Sequence, residues 1–427
     1  MNRPSLERVL GIPGACVLGL GSILGAGIYV ALGLSAGLAG AQLPLAILLA
    51  GLVATLNGLS SARLASTWPV SGGTYEYGHR SGLPWAGNAA GWLFLAAKSA
   101  SAATVALGLA AYVLDWLGIE ASPVGRIGCA LGFVAAATLT VFTGLRLSRG
   151  LTFGLVSVCV FGLLVFVTAM FLGPAYSEGS TLGVTTSPVD LVDLLKASAL
   201  VFVAFTGYGR VATLGEEVID PVRTIPRAVI VTLIVSMVLY LLVGQAALHA
   251  VGPERFASAA RAGSAPLAVV AREVGEGRLE IILVAGALAG MAGVLLNLTL
   301  GLSRVVLAMS RRREFFPLLA AIHGPSRSPR AAVLFVSVLV GGLTCTGRPA
   351  LTWSFSALCV LFYYALTNLC ALRLPKAQRR LPALMPLAGL VACLTLALLV
   401  EPQALVPALA VVVAGRLIAR VVGSRSS

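Results

Sequence analysis

One lysine, Lys98, stands alone among the charged residues of a long apolar run from 84 to 114. An ionisable side chain at membrane depth is costly and marks a functional site by default. It lies about 14 residues into the run, roughly 21 Å along a helix rising 1.5 Å per residue. That is too deep for its ammonium to reach the surface easily. A desolvated amine there is a candidate for proton exchange. Donation to carbonyls freed in neighbouring helices is the alternative structural role.

Two glycine-rich stretches supply such carbonyls. The first, Gly19-Leu20-Gly21-Ser22-Ile23-Leu24-Gly25-Ala26-Gly27-Ile28, places four glycines in nine residues. Each costs a helix close to 1 kcal/mol relative to alanine. The second is Ala204-Phe205-Thr206-Gly207-Tyr208-Gly209. Irregular backbone at membrane depth is tolerated where it lines a polar cavity. Half-helix N-termini there attract anions and freed carbonyls attract cations. A zwitterion such as an amino acid needs both. Close helix packing through small residues is the plainer reading of a single such stretch. Two at matching places in two five-span halves indicate binding-site breaks in an inverted repeat.

The remainder of the chain must hold these segments in a bilayer. Of 427 residues, 58% are apolar and 11% charged. This excludes a soluble globular protein, a disordered chain and a nucleic-acid binder. An outer-membrane barrel is excluded as well, because its strands alternate and give no continuous apolar runs. Runs of about 20 apolar residues predict an all-α polytopic membrane protein of about twelve helices. The spans lie near 13–37, 43–67, 84–114, 124–143, 150–172, 191–215, 227–251, 279–309, 331–347, 350–372, 381–400 and 403–422. Short connections make residues 1–427 a single membrane domain. With the N-terminus inside, the inner segments carry 22 of the 30 basic residues. The positive-inside rule therefore predicts that both termini are cytoplasmic, and the protein is expected in the inner (plasma) membrane. The net charge of +14 then needs no nucleic acid. The connection 252–278 is expected to hold a short helix over the outer mouth, and Arg311 to Pro317 an interfacial segment. Seven scattered cysteines without a CxxC read as small buried hydrophobes, with neither a disulfide frame nor a metal site.

The motifs then resemble a known family. Gly21-Ser22-Ile23-Leu24-Gly25-Ala26-Gly27-Ile28-Tyr29 is similar to the G-S-x-x-G-x-G-I-F pattern of the amino acid–polyamine–organocation (APC) superfamily. Pro69-Val70-Ser71-Gly72-Gly73-Thr74-Tyr75-Glu76-Tyr77 matches its P-x-S-G-G-x-Y-x-Y. Ala204-Phe205-Thr206-Gly207-Tyr208, Glu216-Glu217-Val218 and Pro221-Val222-Arg223-Thr224-Ile225-Pro226 match the segment after its sixth span. Ser303-Arg304 and Ala308-Met309-Ser310-Arg311 close the eighth. The resemblance implies a leucine-transporter-like fold with broken helices 1 and 6. Residues 13–172 would form the first five-helix repeat, 191–372 the second, inverted one, and 381–422 two additional helices. It implies a permease that moves amino acids or related amines by alternating access. The substrate carboxylate would meet N–H groups at Ser22, Gly25, Ala26 and Gly27. Its ammonium would meet carbonyls at Val203, Ala204 and Thr206, with Phe205 and Tyr208 covering the side chain or closing a gate.

The chain also departs from the pattern. Some proton-coupled relatives carry a lysine in the fifth span; here 150–172 has none, and Lys98 is the candidate replacement. Val284 to Leu296 offers no hydroxyl for a sodium ion, which favours proton coupling or exchange. Gly209-Arg210 stands where many relatives have an acid after the aromatic, which argues against a cationic substrate. Glu216, Glu217 and Arg223 could form an inner gate, with Arg63 or Arg80 as partners. Asn297 is expected to bond between helices, and His79, His249 and His323 to be surface residues. No carboxylate or histidine cluster suits an enzyme, no nucleotide-binding loop suits a pump, and no cofactor is called for. The expectation is a permease for a small or medium neutral amino acid, with the proton as coupling ion and a homo-oligomer as a possible assembly. A non-transporting sensor of the same fold and a polyamine or organic-amine carrier are the alternatives.

Overall fold

The structure is a computed structural model that describes residues 10–70, 72–143, 149–173, 190–213, 218–263, 265–274, 277–321, 329–375, 378, 382–400 and 402–424. The first expected span is split. Helix α1 (Ile12–Ile23) ends at Leu24, whose ψ of 80° is not helical, and a π-type turn over Gly27–Ala31 leads into α2 (Leu32–Ala39). Then come α3 (Leu43–Thr67), the short α4 (Thr74–Arg80), α5 (Pro84–Trp116), α6 (Pro123–Phe142) and α7 (Arg149–Leu172). The sixth span is also divided: α8 (Leu191–Phe205), a tighter 3-10 turn over Thr206–Tyr208, and α9 (Gly209–Ala212). α10 (Pro221–Arg261) turns sharply at Gly252, where a φ of 74° favours glycine. α11 (Pro266–Val274), α12 (Gly277–Arg311), α13 (Arg330–Thr344), α14 (Pro349–Leu372), α15 (Leu384–Leu399) and α16 (Pro402–Ser424) complete the chain.

Prolines at the first turn start α1, α3, α5, α6, α10 and α14. Their missing N–H would have had no helical partner there. Ser122 caps α6 through the Gly125 N–H, and Asp190 caps α8 through the Val192 N–H.

Among the described residues, nine helical stretches are long and apolar enough to cross a membrane, and three shorter apolar helices accompany them. The twelve spans read from the sequence fall on these helical segments, the first divided between α1 and α2, with α2 running on through a short 3-10 turn into α3, the second. The protein is therefore a multi-pass, all-helical membrane protein. Burial divides the helices by role. The most apolar window of α5 is 89% buried, against 11% for α16. So α5, the helix that carries Lys98, is the central post, and α16 is peripheral. Large apolar side chains such as Leu52, Leu172, Val338 and Leu398 point outward, as a lipid-facing exterior requires.

The two ends of the bundle differ. One carries α4 and the turn after α12; the other carries α11, which lies against α10 and α12. Arg272 of α11 pairs with Glu280 of α12 and, at 3.4 Å, with Asp115 at the end of α5. The helix expected within 252–278 is thus present and tied to two spans.

Candidate functional site

The two broken spans meet each other. A Cβ on Gly207 would lie 2.3 Å from the Ser22 carbonyl oxygen, and one on Gly27 would lie 2.4 Å from the Ala204 Cβ. Only glycine permits such an approach. These glycines therefore serve contact as well as interruption, and both readings of the sequence apply at one place. The breaks differ in kind. The first opens the backbone at Leu24–Gly25. The second tightens it, because the Thr206 hydroxyl donates to the Val203 carbonyl at 2.6 Å and shortens the turn.

Three tyrosines on unbroken helices satisfy the carbonyls at the junction. The Tyr240 hydroxyl of α10 lies 3.1 Å from both the Ile23 and the Ala204 carbonyl oxygens, spanning both breaks with one O–H. Tyr364 of α14 donates to the Thr206 carbonyl at 3.3 Å, and Tyr112 of α5 to the Tyr29 carbonyl at 3.0 Å. All three hydroxyl-bearing rings are buried. The sequence reading missed them. The available signal was the residue type: a buried tyrosine hydroxyl usually finds a hydrogen-bond partner.

Lys98 reaches this junction. Its Nζ donates to Thr206 Oγ1 at 2.7 Å, and the residue is 9% exposed. Among the described residues no carboxylate forms an ion pair with it. The chain of contacts runs from the Lys98 ammonium to the Thr206 hydroxyl to the Val203 carbonyl, at the C-terminal end of α8. There the helix dipole favours a cation.

The other expected site residues are placed as follows. Gly25, Ala26 and Gly27 are buried at the first break, and Ser22 is the last but one residue of α1. The Gly25 N–H already bonds to the Ile23 carbonyl at 2.9 Å. The N–H groups of Ala26 and Gly27 precede the bonds that Ile28 and Tyr29 make back to the Gly25 carbonyl, at 3.1 and 3.2 Å. Val203, Ala204 and Thr206 each have a carbonyl that accepts a side-chain hydroxyl, as described. Phe205 and Tyr208 are fully buried, their ring centroids 4.9 Å from Tyr240 and 5.3 Å from Tyr364. Both face protein rather than lipid. Asn297 of α12 donates to the Gly21 carbonyl at 3.3 Å, the interhelical bond expected of it. Beside it a cavity of about 10 Å³, lined by Gly21, Thr152, Cys159, Gly290 and Asn297 among others, has room for roughly one water molecule.

Glu216 and Glu217 lie outside the described residues. Arg223 is exposed and pairs with Asp220 at 3.7 Å. Arg80 pairs with Glu76 at 3.9 Å.

One expectation is corrected. His79 is not a free surface residue: its side chain is 12% exposed, and its Nε2 lies 2.6 Å from Glu314 Oε1. Its Nδ1 faces the Tyr75 carbonyl at 2.8 Å. Both ring nitrogens thus face acceptors, which suits the doubly protonated ring. Asn88 of α5 donates to the other Glu314 oxygen at 3.0 Å, and Arg312 forks onto Glu76 at 2.9 and 2.7 Å. Burial pulls the imidazole down, but the bonds to Glu314 and the Tyr75 carbonyl outweigh it and hold His79 above its ordinary value. Burial pushes the Glu314 carboxyl up, yet the His79 and Asn88 bonds prevail and hold it below the usual carboxylate range. The partners lie 235 residues apart, so no local spacing announced them.

Comparison with known proteins agrees with this arrangement. Residues 10–418 match the amino acid permease family. The chain belongs to that family. An uncharacterised transporter of Mycobacterium tuberculosis is 40% identical over 393 residues, covering 92% of this chain and 86% of its own. A branched-chain amino acid permease of Bacillus subtilis is 28% identical over 360 residues, covering 79% and 75%. A methylthioribose transporter of the same bacterium is 26% identical over 353 residues, with the same shares. As an amino acid permease family member, the protein is a transporter by family. The family match runs from Leu10 to Ile418, so it takes in α15 and most of α16 as well as the broken spans.

Proposed function

We propose that this permease carries a small or medium neutral amino acid by alternating access, in symport with protons or by exchange. In this reading residues 13–172 and 191–372 are the two inverted repeats, and the end of the bundle that carries α4 and the basic run Arg311, Arg312, Arg313 is cytoplasmic. The substrate sits where the broken spans meet, its carboxylate toward the N–H groups of Ala26 and Gly27. Lys98 is the coupling group. The observation that carries the reading is the Lys98–Thr206 hydrogen bond, which joins the one charge deep in α5 to the turn that divides the sixth span. Proton gain or loss at Lys98 would strengthen or weaken its hold on that turn. Protonation and helix movement are thereby linked in one contact. The family and the branched-chain amino acid permease of Bacillus subtilis support amino acid cargo by name, and the lack of an acid directly after Tyr208 supports a neutral one.

The test is uptake into proteoliposomes. Radiolabelled leucine or alanine should accumulate when an inward proton gradient, or preloaded amino acid on the far side, is imposed. Lys98→Ala should abolish the response to the proton gradient. Uptake by Lys98→Ala with an undiminished gradient response would remove Lys98 from the coupling role. A purified protein that binds amino acids but moves none would be a sensor.

A further inference from the structure

Among the described residues, Lys98 is a buried cation that no acid accompanies. Its hydrogen bond goes to a neutral hydroxyl, Thr206 Oγ1. The surrounding elements offer no acid at comparable depth. Ile12 to Ala39 carries no charge at all. Leu191 to Thr213 carries Asp193 near its start, where it pairs with Lys196 at 3.0 Å, and otherwise only the basic Arg210. Between Pro221 and Val251 the charged residues are Arg223 and Arg227, both near the start. Pro349 to Leu372 has none. The acids of α5 and α12 lie at helix ends, Asp115 and Glu280, and both bind Arg272.

An ammonium removed from water is costly unless a counter-charge accompanies it. Here the fold provides a polar hydroxyl and a helix C-terminus, which together are less than a full negative charge. A counter-charge that arrives with the cargo completes the site. Conversely, a second cation brought to the same place meets repulsion in a low-dielectric setting.

We propose that Lys98 sets the charge class of the cargo: it favours substrates that present a carboxylate and rejects amines that have none or that carry a net positive charge. This rests on the permease reading above and deepens it. Neutral and acidic amino acids fit the rule; arginine, lysine and polyamines do not.

The experiment uses the full chain, purified, with binding read by thermal stabilisation and by competition for uptake of labelled leucine or alanine into vesicles of phosphatidylethanolamine and phosphatidylglycerol. Each amino acid is compared with two analogues that lack one group: 4-methylpentanoate and 3-methylbutylamine for leucine, propionate and ethylamine for alanine. Arginine is added to the panel. The carboxylate analogue should compete at least tenfold better than the amine, and arginine at least tenfold worse than the neutral amino acid. Lys98→Met should shrink both ratios at least tenfold, whereas Lys98→Arg should keep them. Wild type bound equally by amine, arginine and carboxylate would overturn the proposal, as would a folded Lys98→Met with unchanged ratios. These outcomes leave the permease reading standing as long as the neutral amino acid itself binds. If Lys98→Met does not fold, the wild-type analogue series alone decides. Failure of every amino acid to bind wild type would overturn the permease reading, and this proposal with it.

Discussion

Gly207 lies so close to Ser22 that a β-carbon on it would sit 2.3 Å from the Ser22 carbonyl oxygen. This contact holds the two broken spans against each other. The obstacle is backbone, not the end of a flexible side chain, so Gly207→Ala must separate the spans. Overpacking of this kind typically costs about 1–3 kcal/mol. A lowered melting temperature and at least a tenfold loss of uptake are expected. Unchanged uptake by Gly207→Ala would mean that the contact is not kept during transport.

Tyr240 ties the same breaks together from α10. Tyr240→Phe keeps the ring against Phe205 but removes the O–H shared by the Ile23 and Ala204 carbonyls. Leaving buried acceptors short of a donor costs on the order of 1–3 kcal/mol. A thermal melt of the detergent-purified variant should show that loss. A melting temperature equal to wild type would show that the hydroxyl does not hold the junction.

The His79–Glu314 bond predicts a pH profile for stability. His79 is raised, so its contribution is full below the ordinary imidazole value of 6.5 and is lost as pH rises through the higher folded value. Glu314 is lowered, so its contribution is full above the ordinary 4.5 and is lost as pH falls through the lower folded value. The pair therefore stabilises most between about 4.5 and 6.5, with decline on both sides. Melting temperatures of wild type and Glu314→Gln across pH 4 to 9 should differ most inside that window. A constant difference across the range would contradict the ion pair.

Much of this was legible in the sequence because it rests on local pattern. Apolar run length gives the twelve spans, and glycine density marks Leu24–Gly25 and Thr206–Tyr208. Isolation in an apolar run marks Lys98. What was not legible depends on distant pairing. Tyr112, Tyr240 and Tyr364 look like ordinary apolar-run aromatics until the helices are packed. His79 looked solitary because Glu314 follows only after the eighth span. Propensity likewise did not distinguish an opened break from a tightened one. The Thr206 hydroxyl decides it at the second break, by bonding back to Val203.

The central claim is that an amino acid binds where the broken spans meet, beside Lys98. The most direct measurement is thermal stabilisation of the purified protein by a panel of amino acids and amines at pH 5.5 and 7.5, for wild type and Thr206→Val. The account predicts that a neutral amino acid raises the melting temperature in proportion to the logarithm of its concentration above Kd, and that Thr206→Val weakens this at least tenfold. A flat panel at both pH values, or full stabilisation of Thr206→Val, would contradict it.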